Sequence, residues 1–162
     1  GFYEKRDLKR VIDVLPPGPV VLIGNSLGGA VAIQGAVSND HVVGVIAAEA
    51  FSDLRTIATE RAPPFLFRPI IARAFRLAEE RGRFDVAAVS PVVAAASLRI
   101  PVLLIHGAND VETPPAHSTR ILSALPGPKQ LLLVPHAGHN QSMNSPDTWN
   151  VIDRWLSSVV PR

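Results

Sequence analysis

Apolar residues along this chain follow two rhythms that alternate. Val20-Val21-Leu22-Ile23, Val42 to Ala48, Val102 to His106 and Gln130 to Val134 are short runs of the kind that form buried strands. Around them apolar positions recur at helical spacing. Leu8, Val11, Ile12 and Leu15 fall on one face, and Trp149, Ile152, Leu156 and Val159 on another. The punctuation agrees with this reading. Pro16-Pro17-Gly18-Pro19 ends the first helix, and Ser38-Asn39-Asp40 turns the chain after a helix from Leu27 to Val37. Pro114 and Pro115 can begin a helix that Thr113 can cap, and the closing helix starts near Ser145-Pro146. Strands that alternate with helices predict an α/β architecture, a mainly parallel sheet flanked by helices.

One stretch interrupts the alternation. From about Ser52 to Ser97 there is no strand pattern, but there is Pro63-Pro64-Phe65-Leu66-Phe67 and a helical pattern through Ile70, Ile71, Ala74 and Leu77. Asp85 precedes a helix start at Ser90-Pro91 and takes a capping role. Phe51, Phe65, Phe67 and Phe75 admit two readings: walls of a pocket for an apolar group, or residues of ordinary helix packing.

The chemistry-bearing residues sit at the ends of the strand runs. Ser26 lies in Gly24-Asn25-Ser26-Leu27-Gly28, between a strand pattern and a helix pattern. A tight strand-to-helix turn needs small flanking residues and lifts the serine hydroxyl clear of the backbone, as a nucleophile requires. Asp110 follows the third strand run and His139 the fourth, which gives the order Ser, Asp, His. Each has a neighbour of the same chemistry: Glu112 shares the loop of Asp110, and His136 stands three residues before His139. His136-x-x-His139 would suit a metal only with a third ligand, which the spacing does not supply. His106 ends a strand and reads as a satisfied core or turn histidine, while His41 and His117 read as surface residues.

These segments resemble the α/β-hydrolase family. The likeness rests on Gly24-Asn25-Ser26-Leu27-Gly28-Gly29, on Pro101 to Asp110 and on Val134 to Asn140, and it runs over nearly the whole chain. It is strongest toward serine esterases and more distant toward prolyl oligopeptidase-type peptidases. The resemblance implies a Ser26, His139, Asp110 triad acting on a small-molecule ester without a cofactor or metal. It implies an oxyanion donor at the Leu27 amide, and a helical cap in the 52–97 insert. Asp110 rather than Glu112 matches the family position of the acid.

The chain departs from the family in one respect. A second oxyanion amide usually comes from a loop after an earlier strand, and no such strand or glycine-rich loop precedes Ser26. The expected fold is therefore an N-terminally shortened hydrolase. The strand from Val20 to Ile23 would then form an apolar edge that self-associates or docks an N-terminal partner. Two function classes follow: a serine esterase, with peptidase or other acyl-transfer chemistry as a variant, or a hydrolase-like interaction domain without catalysis.

Composition narrows the field further. The chain has 162 residues, a size that suits one domain, with 47% hydrophobic and 19% charged residues, as expected for a compact protein. A net charge of +2, with arginines scattered through helical patterns, predicts no nucleic-acid partner. The absence of cysteine excludes disulfides and thiolate metal sites. No apolar run reaches the ~20 residues of a membrane span, so a soluble protein is expected; the compartment stays open, with the cytoplasm as first expectation.

Overall fold

Four parallel strands form one sheet in which neighbours in space are neighbours in sequence. The computed structural model describes residues 1–63 and 65–160; Pro64 of the proline pair lies outside the described residues. The elements run α1 (Glu4–Asp13), β1 (Val20–Asn25), α2 (Leu27–Ala36), β2 (Val42–Ala48), α3 (Leu54–Glu60) and α4 (Arg68–Gly82). A single 3-10 turn (Val86–Ala88) then leads to α5 (Pro91–Ala95), β3 (Val102–Gly107), α6 (Ala116–Ala124), β4 (Lys129–Val134) and α7 (Pro146–Val159). None of these helices is long and apolar enough to cross a membrane.

Strand alternation decides which helices cover which face. Val45, Ala47, Val102 and Leu104 point to one side, where Ile12 of α1, Ile33 of α2, Ala95 of α5 and Ile121 of α6 pack on them. Ile46, Ala48, Leu103 and Ile105 point to the other, against Ile152 and Trp155 of α7. The central strands are apolar on both faces because both faces are covered. β1 pairs only with β2, so among the described residues its outer edge is open.

Several expectations are corrected here. In α7 the buried tryptophan is Trp155; Trp149 is 45% exposed and donates its indole N–H to the Met143 carbonyl. The reason lies in β2, where a Cβ on Gly44 would come within 2.8 Å of the Trp155 ring, so the missing side chain makes the space that the indole fills. In α1 only Leu8 and Ile12 join the core, since Val11 faces solvent and Leu15 lies beyond the helix end. Thr113 does not cap α6, whose N-cap is Pro115. Asp85 does cap, accepting from the Ala87 N–H, but it starts the 3-10 turn rather than α5.

The segment between β2 and β3 is helical, and α4 buries no residue. Phe51 closes a small cluster with Ala30, Ile57 and Val89. Phe65 and Phe67 are 72% and 74% exposed, and Phe75 is half-buried under the Arg55 guanidinium, 4.7 Å from its ring centre.

Two side chains tie this segment to α6 and to the loop before it. Arg61, at the end of α3, donates to the Glu112 carbonyl and to Thr113 Oγ1. Glu60 accepts from His117 Nε2 at 2.8 Å. His117 is therefore no surface residue; it is fully buried, because α6 turns it under Ser52. Its Nδ1 accepts from the Ser52 N–H (3.0 Å), so the ring is held neutral with its proton on Nε2. Burial, reinforced by nearby Arg120, pushes its pKa below the ordinary 6.5 although Glu60 opposes the shift. The unfolded chain thus takes up this proton at a higher pH than the folded one does. The stability contributed by His117 is complete above pH 6.5 and is lost as pH falls from there through the folded value. Chemical denaturation of the protein and of His117→Gln as a function of pH should show a steeper loss below 6.5 in the parent; parallel profiles would refute the assignment.

Candidate active site

The strand register brings the site together before any side chain is considered. Asn25, Ala48, Ile105 and Leu132 lie in one row across the sheet, so the residues just beyond it, Ser26, Glu49 and His106, emerge at the same C-terminal edge. Ser26 has φ 52° and ψ −115°, a conformation that a non-glycine residue holds only when its surroundings enforce it. The enforcement is visible on both sides. The Ser26 N–H donates to the Ala48 carbonyl (2.8 Å), and a Cβ on Gly24 would fall 2.3 Å from the backbone of Gly28. Gly28 itself has open space where a Cβ would be, so the turn depends on the first glycine of the pair for room.

Ser26 makes no capping bond to α2 with its side chain. Its Oγ instead lies 3.0 Å from His139 Nε2, and His139 Nδ1 lies 2.7 Å from Asp110 Oδ2. A carboxylate can only accept, so Nδ1 carries the proton and Nε2 is left to accept from the serine hydroxyl. Asp110 is buried, two further donors hold it, and a histidine ring stands beside it. The amides of Glu112 and Thr113 donate to Oδ1 (2.9 and 2.8 Å), and His106 Nε2 stands 3.3 Å from Oδ2. His106 is fixed in turn, with Nε2 2.7 Å from the Thr113 carbonyl and Nδ1 2.7 Å from Ser118 Oγ.

The structure separates the paired candidates. Glu112 is exposed, and its backbone supports Asp110. His136 is exposed in a left-handed turn (φ 61°), while His139 faces Ser26. Leu27 is the first residue of α2, where an amide has no acceptor within the helix.

Glu49 did not stand out in the sequence. It is completely buried with φ 52°, and its carboxylate accepts from the backbone N–H groups of Asn140 and Ser142, the latter at 3.0 Å. A single acidic residue inside Ala47-Ala48-Glu49-Ala50-Phe51 was the available signal, since a carboxylate in an apolar run must find donors if it is buried. Glu49, Asp110 and His139 bring possible ligand atoms within 4.8 Å of one another. Each carboxylate is already engaged by N–H donors from the chain, which makes the group a hydrogen-bond network.

Comparison with known proteins gives a consistent picture. The uncharacterized protein YfhR of Escherichia coli O157:H7 is 33% identical over 126 residues, 76% of this chain and 39% of YfhR. The uncharacterized protein YqkD of Bacillus subtilis (strain 168) is 30% identical over 155 residues, 88% of this chain and 50% of YqkD. This chain therefore spans half or less of the length of these curated relatives. Among solved structures, the esterase domain of a Rhodothermus marinus protein superposes with a TM-score of 0.73 at 22% identity, covering 99% of this chain and 71% of that one, a likeness of fold. The model of the alpha/beta hydrolase family matches residues 2–149, and with a match over most of its length this chain belongs to that family.

Proposed function

We propose that this protein is a serine hydrolase that cleaves carboxylic esters through an acyl-enzyme on Ser26. The observation that carries the reading is the unbroken hydrogen-bonded line from Ser26 Oγ through the His139 ring to Asp110, 3.0 and 2.7 Å long. His139 takes the hydroxyl proton as Oγ attacks the ester carbonyl, then delivers it to the departing alcohol. Asp110 keeps the proton on Nδ1 and faces the imidazolium as it forms. Water then repeats the sequence on the acyl-serine, with His139 again as base. The Leu27 amide, at the positive end of α2, is the donor for the developing oxyanion.

Such a hole has a second amide, and the open side of β1 is where its loop would lie. Its loss would cost about a hundred- to a thousandfold in turnover. Phe65 and Phe67 keep free surface for the acyl or alcohol group, whereas Phe51 is occupied in packing.

The test is hydrolysis of p-nitrophenyl esters from acetate to palmitate by the protein and by Ser26→Ala, with fluorophosphonate labelling of both. Turnover and labelling by the parent alone are expected, and the best chain length reports the pocket. Equal turnover by both proteins would overturn the role of Ser26, and two equally inert proteins would leave a hydrolase-like interaction domain as the function.

A further inference from the structure

We propose that Glu49, Asn140 and Asn25 form a positioning bridge that holds His139 against Ser26 independently of Asp110. The inference rests on the serine hydrolase reading and adds residues to it. Ser26 and His139 come from loops 113 residues apart in sequence, and their single 3.0 Å contact has to survive the motion of both. Asp110 restrains the imidazole through Nδ1 only. It does nothing to fix the loop that follows.

That loop is fixed by Glu49. One carboxylate oxygen receives the Asn140 N–H and the other the Ser142 N–H, so one side chain grips the two residues nearest His139 on its far side that offer amides inward. Among the described residues Glu49 has no cationic partner, and the two N–H groups are what its buried carboxylate has in place of one. The bridge continues through the Asn140 side chain, whose Oδ1 accepts from Asn25 Nδ2 at 3.0 Å. Asn25 directly precedes Ser26. The nucleophile and the base are thus joined twice: once through Oγ and the ring, and once through Asn25, Asn140 and Glu49.

The frame beneath the bridge is rigid. Glu49 donates its own N–H to the Ile105 carbonyl (2.8 Å), and the Ser26 N–H is bound to the residue before Glu49. Ser26, Glu49 and Asn140 all have φ between 52° and 61°. Three non-glycine residues at positive φ, two of them hydrogen-bonded to each other and the third tied to their neighbours, mark a strained cluster held by its surroundings, which is the condition for a preorganised site. The Glu49 carboxylate also lies within 4.8 Å of the His139 and Asp110 ligand atoms, so the imidazolium of the reaction would form near two acids.

The experiment measures kcat per fluorophosphonate-titrated Ser26 in Glu49→Gln and in Asn140→Gly, the latter chosen because glycine accepts φ 61°. Glu49→Gln is expected to lower kcat by about 10- to 100-fold with KM within about twofold, and Asn140→Gly by about 3- to 10-fold. In parallel, the downfield NMR signal of the His139 Nδ1 proton should broaden or vanish in both. Lower melting temperatures with parental kcat per titrated site and an unchanged Nδ1 signal would overturn the proposal, since only folding would then be at stake. If Ser26→Ala keeps full activity the hydrolase reading fails instead, and the NMR signal still decides whether Glu49 positions His139.

Discussion

Replacing His139 by alanine is expected to lower kcat for ester hydrolysis by about a hundred-thousandfold. The ring is the one group placed to take the Ser26 proton, and no other side chain stands within hydrogen-bonding distance of Oγ among the described residues. Asp110→Ala should cost less, about a thousand- to ten-thousandfold, because the carboxylate touches no reacting atom and works through the ring. His136→Ala should leave turnover at the parental level, since that ring is exposed and is no hydrogen-bond partner of Ser26 Oγ. Single-turnover acylation of the three variants, normalised to folded protein, checks the order. A His136 effect as large as that of His139, or an Asp110 effect larger than either, would break the assignment of roles.

The second large effect concerns a hydrogen atom. Gly24→Ala should destabilise the fold by about 3 kcal/mol or more, because its Cβ would meet backbone atoms of Gly28 and Gly29 at 2.3 to 2.6 Å, and backbone cannot rotate away as a side chain can. At roughly 2–4 °C per kcal/mol for a chain of this size, Tm should drop by roughly 6–12 °C. Gly28→Ala provides the contrast. Nothing lies within 4 Å of its Cβ position, and the residue is in the first turn of α2, where alanine favours the helix by up to about 1 kcal/mol. Thermal denaturation followed by circular dichroism separates the two. Equal Tm values would mean that the turn relaxes and that the closeness at Gly24 carries no cost.

The same pair of glycines illustrates what a sequence conveys and what it withholds. The motif reads symmetrically, with a glycine on each side of Asn25-Ser26-Leu27, yet the folded turn crowds only the first. Strands were legible because both faces of the sheet are covered, so β2 appears as an uninterrupted apolar run with its ends at Val42 and Ala48. Ser26, Asp110 and His139 were legible because each follows a strand in a parallel sheet, and such strands end at one edge. Helix faces were harder. Trp149 and Trp155 fit an apolar stripe about equally well, and Gly44, more than a hundred residues away, selects between them. Burial of His117 and Glu49 was hidden for a related reason. Their partners, Ser52 and Glu60 for one and Asn140 and Ser142 for the other, lie on different elements, and no local pattern names hydrogen-bond partners that arrive from 57 to 93 residues away.

The sequential order of the strands sets a timetable for the growing chain. Because β1 to β4 lie side by side in the order in which they are synthesised, each new strand can add to the edge left by the one before it. Ser26 therefore reaches its turn first and His139 last. On the function proposed above, Ser26 would gain its base only when the loop after β4 meets Glu49 and Asp110. A chain cut short before that loop should therefore take up no fluorophosphonate, whatever its first strands have formed.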